Sequence, residues 1–475
     1  MRVTEVSHGC TTTPAPRLSP APPPSGGVPP RSRPRPRPSA APHRPHPRPA
    51  GAGRAHPGHR VTARLGRPTL RTADGHSHDE RRASWLELFF DLTFAGAVGQ
   101  LAGALQDHPA LGTLARFVLL FTPIWWLWVQ LTFYADRHES EDATHRASFL
   151  AAILLCLGLA ASAPRALSGD TTGFVIAFAA LRGLQLLLYA RARHHLPATR
   201  PLYNCYLICF GAGGTLWLSS LAVPGSARYS FWIAALLADA TGALAMLRPR
   251  RRVPVNTAHL ADRFQLFVLI VLGESVARLI SAAASRPWSL PLAIVLAAAL
   301  ITLAALWWAW LTTADRRALG TQPTIARFTA LNLPMVAGIA AASAGLHIAI
   351  LAADGATTIA AGPRAALYGG VSVYLLASAL LPARKRTPTA STTRIATALA
   401  AMGLVFMGAI VEPVYLVPAL TAVLALGLWA ETRPRLVPVM PAPHPHDRPT
   451  PGLPAAGRHP VPAIIQPTPP GTAAI

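Results

Sequence analysis

Residues 260–281 read LADRFQLFVLIVLGESVARLIS, and this stretch decides the fold class. After Arg263 the run is apolar, with Glu274 and Arg278 as its charged residues. A helix of about 20 apolar residues spans the hydrocarbon core of a bilayer. The stretch therefore predicts a transmembrane helix whose carboxylate lies ten residues after Phe264, about 15 Å inside the bilayer.

Similar apolar runs, separated by short polar loops, fill most of the chain. Of the 475 residues, 51% are hydrophobic and 13% charged, against about 25% charged in an ordinary soluble domain. We predict an all-α polytopic membrane protein with about twelve spans. They are residues 85–105, 112–134, 147–164, 171–190, 201–223, 229–247, 260–281, 289–313, 325–351, 363–382, 394–411 and 414–431. The turn between the last two, VEPV at 411–414, is very short.

The two ends of the chain have a different composition. Residues 1–84 are rich in proline and arginine, and residues 433–475 are rich in proline, so both are predicted to be disordered tails. No apolar segment follows Met1, so we expect no secretory signal. The N-terminal tail is either a basic arm for anionic lipid or nucleic acid or a dispensable extension, and its low complexity favours the extension.

Arginine is distributed unequally between the loops, which predicts the orientation of the protein. The formal net charge is +23, and the loop arginines cluster around residues 191–200, 248–252, 316–317 and 384–386. The positive-inside rule places these loops and both termini in the cytoplasm, although the 135–146 loop on the same side is acidic. We therefore expect the lipid bilayer as a partner, and no nucleic acid.

The chain contains an internal repeat. LFFDLTFAGAVGQL at 88–101 aligns without gaps with LFVLIVLGESVARL at 266–279. Trp-Trp-x-Trp at 125–128 recurs at 307–310, and Ala-Asp-Arg follows each block. Six spans separate the copies, so the two halves are predicted to be parallel, an arrangement in which transporters place their site at the interface. The predicted halves are residues 85–250 and 251–432.

Glu274 is the first candidate site residue, because an ionisable group inside a membrane is costly and usually has a partner or a function. Arg278 follows one turn later on the same helix face and is a candidate counter-ion. In one interpretation the two charges neutralise each other and the pair joins helices. In the other, Glu274 exchanges a proton or binds a cation. Both interpretations stand at this point.

Glu87 and Asp91 form a second candidate, two acids one turn apart at the start of the first span. The helix dipole explains Glu87 well but Asp91 poorly, so a proton-binding or ion-binding role is an equal alternative. Arg182, in the middle of the fourth span, is a candidate counter-ion for Asp91 or Glu274. For Asp262 and Arg263 we favour a surface pair at a helix start, and for the two tryptophan blocks an aromatic belt.

Familiar catalytic and metal motifs are missing. The sequence contains no P-loop, G-x-S-x-G, H-E-x-x-H or CxxC with metal spacing. We therefore expect no cofactor and no metal site, and nothing in the sequence requires an enzyme.

Several motifs together resemble the bacterial low temperature requirement protein A family. They are LELFFDL at 86–92, the block at 125–128, YADR at 134–137, RFQLF at 263–267 and VLGES at 271–275. The resemblance covers residues 83–430 and implies a multi-pass protein of the bacterial inner membrane, in a family named for a growth phenotype in the cold. Three residues differ from the usual family pattern: Asp136, His138 and Asp262.

Three functions fit these features. The leading hypothesis is a secondary transporter or permease for a small solute or ion, with proton coupling as an option. Glu87, Asp91 and Glu274 would then form its pathway, and Arg182 and Arg278 would be counter-ions. The alternatives are a membrane-embedded enzyme acting on lipid, and a non-catalytic scaffold or sensor whose buried ion pairs fix its packing.

Overall fold

A computed structural model describes residues 84–432, apart from 108, 139–142, 249–252, 254, 314–318, 356–357 and 382–387. The predicted tails, except Ser84, lie outside the described residues, as do parts of the basic loops. The described chain forms twelve helices. They are α1 Trp85–Asp107, α2 Leu111–Arg137, α3 Ala143–Ser168, α4 Thr172–His195, α5 Arg200–Ser219, α6 Arg228–Leu244, α7 Thr257–Ala284, α8 Leu290–Leu311, α9 Gln322–Leu351, α10 (consecutive segments Ala361–Arg364, Ala365–Gly369 and Gly370–Leu380), α11 Pro388–Met407 and α12 Pro413–Thr432.

The all-α polytopic prediction is confirmed. Eleven of the described helices are long and apolar enough to cross a bilayer. The short turn predicted at 411–414 does separate two helices, since α11 ends at Met407 and α12 begins at Pro413. The remaining helix, α10, coincides with the predicted span 363–382 but contains a π-helical turn.

The helix α10 packs closely against α9 beside this π-helical turn. A Cβ atom on Gly370 would lie 2.6 Å from the carbonyl oxygen of Gly338, and one on Gly338 would lie 2.5 Å from the carbonyl oxygen of Gly370. The two backbones therefore meet where only glycine fits, as small residues allow between membrane helices.

The helix contacts repeat along the chain. In residues 85–244, α1 packs on α3, α3 on α4, α4 on α5 and α5 on α6. In residues 257–432 the corresponding contacts recur: α7 packs on α9, α9 on α10, α10 on α11 and α11 on α12. The same order of helix contacts therefore occurs in both stretches of the chain, while the division into two six-helix halves stays a prediction.

The helices α1 and α7 join these two sets and run in the same direction. Asp91 contacts Arg263, and further along both helices the backbone of Gly99 lies beside the Glu274 side chain and that of Gly103 beside the Arg278 side chain. Residue numbers rise together on the two helices, so α1 and α7 are parallel. We call the end of the bundle at which both helices begin the N-end.

Candidate functional site

A buried ion pair joins α1 to α7 near the N-end. Asp91 follows Glu87 by one turn on α1, and Arg263 follows His259 by one turn on α7. The Arg263 guanidinium donates from Nε to Asp91 Oδ2 at 2.8 Å and from Nη2 to Asp91 Oδ1 at 2.6 Å. Both side chains are fully buried. The expectation of a surface pair at Asp262 and Arg263 is therefore wrong for Arg263, because its guanidinium is buried in the bundle and hydrogen-bonded to Asp91.

The second helix completes the surroundings of Asp91. Trp128 on α2 donates from Nε1 to Asp91 Oδ1 at 2.7 Å, and its ring packs against Phe264 and Phe267 with centroids 4.9 and 4.2 Å away. Trp128 and Trp125 are buried, so the aromatic belt expected for this block is wrong. In the second block Trp307 and Trp308 are exposed. Within the first block, the indole N–H of Trp128 satisfies a buried carboxylate.

Glu87 and His259 extend the contact towards the N-end. Glu87 Oε1 lies 3.6 Å from Arg263 Nη1, and Glu87 Oε2 lies 3.6 Å from His259 Nε2. The other imidazole nitrogen, His259 Nδ1, lies 3.1 Å from Asp136 Oδ1 on α2. Asp136 also accepts from the backbone N–H of Asn256 at 2.8 Å. Asn256 in turn caps α7, since its side-chain oxygen accepts from the His259 N–H.

These contacts link five ionisable side chains, which we call the ionisable cluster: Glu87, Asp91, Asp136, His259 and Arg263. All five are buried. Three carboxylates face one guanidinium and one imidazole, and the imidazole is charged only when it is protonated. Removing ions from water is costly unless each is paired and hydrogen-bonded. Proton uptake by the cluster therefore changes its charge balance directly.

Glu274 and Arg278 lie further along the same α1–α7 contact. Arg278 Nη2 donates to Glu274 Oε1 at 2.9 Å, and the Glu274 side chain is 39% exposed against 18% for Arg278. Gly99 and Gly103 on α1 leave room for these two side chains. His347 on α9 lies close by, with Nδ1 3.3 Å from the Arg278 carbonyl oxygen. The carboxylate thus lies within a long helix, beside α1, and is partly exposed at the outside of the bundle.

Arg182 does not reach either candidate carboxylate. It donates from Nη2 to Asp239 Oδ2 on α6 at 2.5 Å, and from Nη1 to Gln130 Oε1 on α2 at 2.6 Å and to Gln185 Oε1 at 2.8 Å. The structure therefore pairs Arg182 with Asp239, while Asp91 is paired with Arg263. Arg278 does pair with Glu274, as the sequence suggested.

Another ion pair, with a buried arginine and a partly buried carboxylate, lies outside the α1–α7 contact. Arg394 on α11 donates from Nε and Nη2 to the two carboxylate oxygens of Glu431 on α12 at 2.8 and 2.9 Å. Sequence reasoning had not selected this pair, nor Asp136, Asp239 or His259. The pairs of Arg394 and Arg182 show that this bundle also uses ion pairs to join helices.

His138 lies just beyond the end of α2 and outside the spans. Its Nδ1 is 2.8 Å from the Tyr134 carbonyl oxygen, and its Nε2 is 3.2 Å from the Tyr203 hydroxyl. Burial, together with the neighbouring positive charge of Arg137, lowers the pKa of His138 to about 4. The imidazole is therefore neutral at physiological pH. Within the described residues, no group of three or more His, Cys, Asp or Glu side chains is arranged to hold a metal ion.

The fold and the buried charges together define a polytopic α-helical membrane protein with ion pairs inside its helix bundle. Residues 82–429 match the family model described as bacterial low temperature requirement A protein (LtrA), and the chain belongs to that family. A curated relative from Rhizobium meliloti (strain 1021), described as an uncharacterized protein, is 28% identical over an alignment of 297 residues that covers 56% of this chain and 71% of the relative. No solved structure matches the chain.

Proposed function

We propose that the protein is a secondary transporter in which Glu87, Asp91 and Glu274 carry a proton or cation along the α1–α7 contact. The observation behind this proposal is that ionisable groups occupy two levels of this contact. The ionisable cluster forms one level near the N-end. Glu274 and Arg278 form the other, eleven residues beyond Arg263 on α7, or about 16 Å along the helix. Carboxylates at successive depths are typical of proton pathways through membranes.

The geometry of His259 supports proton movement within the ionisable cluster. One imidazole nitrogen faces Asp136 and the other faces Glu87. An imidazole that accepts a proton at one nitrogen can release the proton at the other nitrogen. Asp136 lies near the N-end of the bundle. The distribution of arginines predicts that this end faces the cytoplasm. The route would run from Asp136 through His259 to Glu87.

Two arginines would act as counter-ions in this scheme. Arg263 contacts both Asp91 and Glu87, and Arg278 contacts Glu274. A guanidinium stays charged, so each carboxylate releases its proton or cation more readily when its arginine is close. Small shifts between α1 and α7 would change these distances and therefore the proton affinity at each level.

The proposal is tested with purified protein in liposomes that contain a pH-sensitive dye. A potassium diffusion potential drives protons inward, and the initial rate of acidification is measured for wild type, Glu87→Gln and Asp91→Asn. Removing a group that transfers a proton lowers the rate by roughly 100-fold or more. Glu431→Gln is the control, because it alters a partly buried ion pair outside the α1–α7 contact. Proton transport along the α1–α7 contact is ruled out if wild type moves no protons, or if Asp91→Asn moves protons as fast as Glu431→Gln.

The scaffold hypothesis also has an observation in its favour. Both oxygens of Asp91 are hydrogen-bonded, and the pair of Arg182 with Asp239 is equally well enclosed. A purely structural role predicts that an apolar pair can replace Asp91 and Arg263 without loss of function. Replacing both residues at once separates the scaffold from the transporter.

A further inference from the structure

A pair of cysteines lies on α5, away from the α1–α7 contact. Cys205 and Cys209 are one helical turn apart, and their Sγ atoms are 3.8 Å from each other. Neither cysteine is in a disulfide, and both residues are partly exposed. Cys156 on α3, in contrast, is fully buried, as expected for a thiol that only fills space. The α5 pair therefore lies at the edge of the bundle rather than inside it.

The helix keeps these two thiols close without joining them. Cβ atoms one turn apart on a helix are about 5–6 Å from each other. A disulfide needs Cβ atoms about 3.5–4.5 Å apart, so this bond would distort α5. A metal ion requires no such approach, because two metal–thiolate bonds of about 2.3 Å join sulfurs 3.8 Å apart at an angle of roughly 110°. The pair therefore suits a shared metal ion better than a disulfide.

The cysteine pair lies near the N-end of the bundle. The helix α5 begins at Arg200, and Tyr203, two residues before Cys205, contacts His138 just beyond the end of α2. The distribution of arginines predicts that the N-end faces the cytoplasm. Thiols stay reduced in that compartment, which keeps them available as ligands.

A positive charge lies near this end of the pair. The Arg193 guanidinium donates from Nε to the side-chain oxygen of Asn204, the residue before Cys205. Thiolates rather than thiols bind metal ions, and neighbouring arginines favour the thiolate. Two thiolates and a univalent metal ion together carry one net negative charge, which Arg193 would offset.

The available ligands favour univalent copper over zinc. Structural zinc sites use four protein ligands, whereas in the part of the chain that the structure describes no third His, Cys, Asp or Glu joins the pair. Univalent copper forms stable complexes with two or three sulfur ligands, and soft thiolates select it. We propose that Cys205 and Cys209 bind one Cu(I) ion through their two Sγ atoms. This inference does not depend on transport.

The test measures Cu(I) binding to the reduced full-length protein without oxygen, in competition with the chelator bathocuproine disulfonate. We expect wild type to bind Cu(I) with the ultraviolet absorption typical of copper–thiolate bonds. Cys205→Ser and Cys209→Ser should each weaken this binding at least as much as the roughly 100-fold lost when a residue that supports a metal ligand is removed. Cys156→Ser is the matched control, because it removes a buried thiol away from α5, and should bind as wild type does.

Further measurements identify the metal and the state of the thiols. Histidines of residues 1–84 do not give the copper–thiolate absorption, so this signal reports on cysteines alone. The thermal unfolding temperature of each variant shows whether it is folded. Excess Zn(II) should leave the signal unchanged, and mass spectrometry should find no disulfide between the two cysteines.

Four results would overturn the proposal. Wild type could give no copper–thiolate absorption, or folded Cys205→Ser could bind Cu(I) as tightly as Cys156→Ser does. Zn(II) could displace the copper, which would contradict the choice of metal. Purified wild type could hold the pair as a disulfide, which would contradict the geometric argument.

Discussion

Arg263 and Asp91 are 172 residues apart in the sequence, yet the guanidinium of one meets both carboxylate oxygens of the other, at 2.8 and 2.6 Å. Two parallel hydrogen bonds between planar groups fix both distance and orientation. The pair therefore sets the register of α1 against α7. Glu87 and His259, one turn earlier on the same two helices, follow the same register.

We expect Arg263→Met to destabilise the protein by about 3–5 kcal/mol, because it leaves Asp91 as an unpaired charge inside the bundle. The free energy of unfolding in detergent micelles, from denaturant titration, measures this change. Arg165→Met removes the same group from an exposed position on α3 and should change stability by less than about 0.5 kcal/mol. If the two variants lose similar amounts of unfolding free energy, the pair of Arg263 with Asp91 stabilises the protein no more than an exposed arginine does.

The double substitution Asp91→Leu with Arg263→Met should recover most of the stability lost in Arg263→Met alone. Well-packed apolar side chains often replace a buried ion pair without loss. Proton uptake in liposomes should nevertheless stay at the level of Asp91→Asn, because the carboxylate is gone. A double variant that is stable and also moves protons at the wild-type rate would favour the scaffold over the transporter.

Gly99→Val should displace the Glu274 side chain, whereas Gly96→Val should not. A Cβ atom on Gly99 would lie 2.7 Å from Glu274 Oε1 and 2.8 Å from its Cγ, while one on Gly96 would meet nothing within 4 Å. Labelling of Glu274 by dicyclohexylcarbodiimide, followed by mass spectrometry, reports its surroundings. We expect the labelling rate to change several-fold in Gly99→Val alone, and equal rates in both variants would contradict the close contact of α1 with Glu274.

His138 should make the stability of the protein depend on pH. Its pKa is about 4 in the folded protein and near 6.5 when unfolded, so the unfolded chain binds more protons between these values. The free energy of unfolding should therefore fall as the pH drops below about 6.5, and this contribution amounts to about 2 kcal/mol at about pH 5.

Two variants isolate the effect of His138. His138→Gln should lose that part of the pH dependence, and His194→Gln, which changes an exposed histidine of α4, should retain it. The comparison of thermal unfolding at neutral and acidic pH checks this. If His138→Gln keeps the full pH dependence, the buried imidazole is not its source.

The membrane fold was accessible from the sequence because apolar runs of about 20 residues have few alternatives to spanning a bilayer. The pairing of charges was less accessible. Hydropathy gave the depth of Asp91 and Glu274, but depth does not specify which helix faces which. Arg182 was an equally plausible partner for Asp91 until α6 supplied Asp239.

One signal for the correct pairing was nevertheless present. Glu87 and Asp91 are two acids one turn apart, and His259 and Arg263 are two bases one turn apart at the start of another predicted span. When their helices are parallel and adjacent, the first acid lies beside the first base and the second acid beside the second base. The internal repeat predicts that α1 and α7 are parallel. Asp136 could not be found this way, since its contact with His259 depends on where α2 ends.

The most direct test of the transport account is the initial rate of proton uptake by liposomes that contain Glu274→Gln, measured beside wild type and Arg165→Met. Glutamine keeps the size of the side chain, and its amide oxygen can still accept a hydrogen bond from Arg278. Unlike a carboxylate, however, the amide neither binds nor releases a proton at the pH of the assay. The account predicts that Glu274→Gln lowers the rate by roughly 100-fold while Arg165→Met leaves it unchanged. A Glu274→Gln protein that is folded and acidifies the liposomes at the wild-type rate would contradict the account.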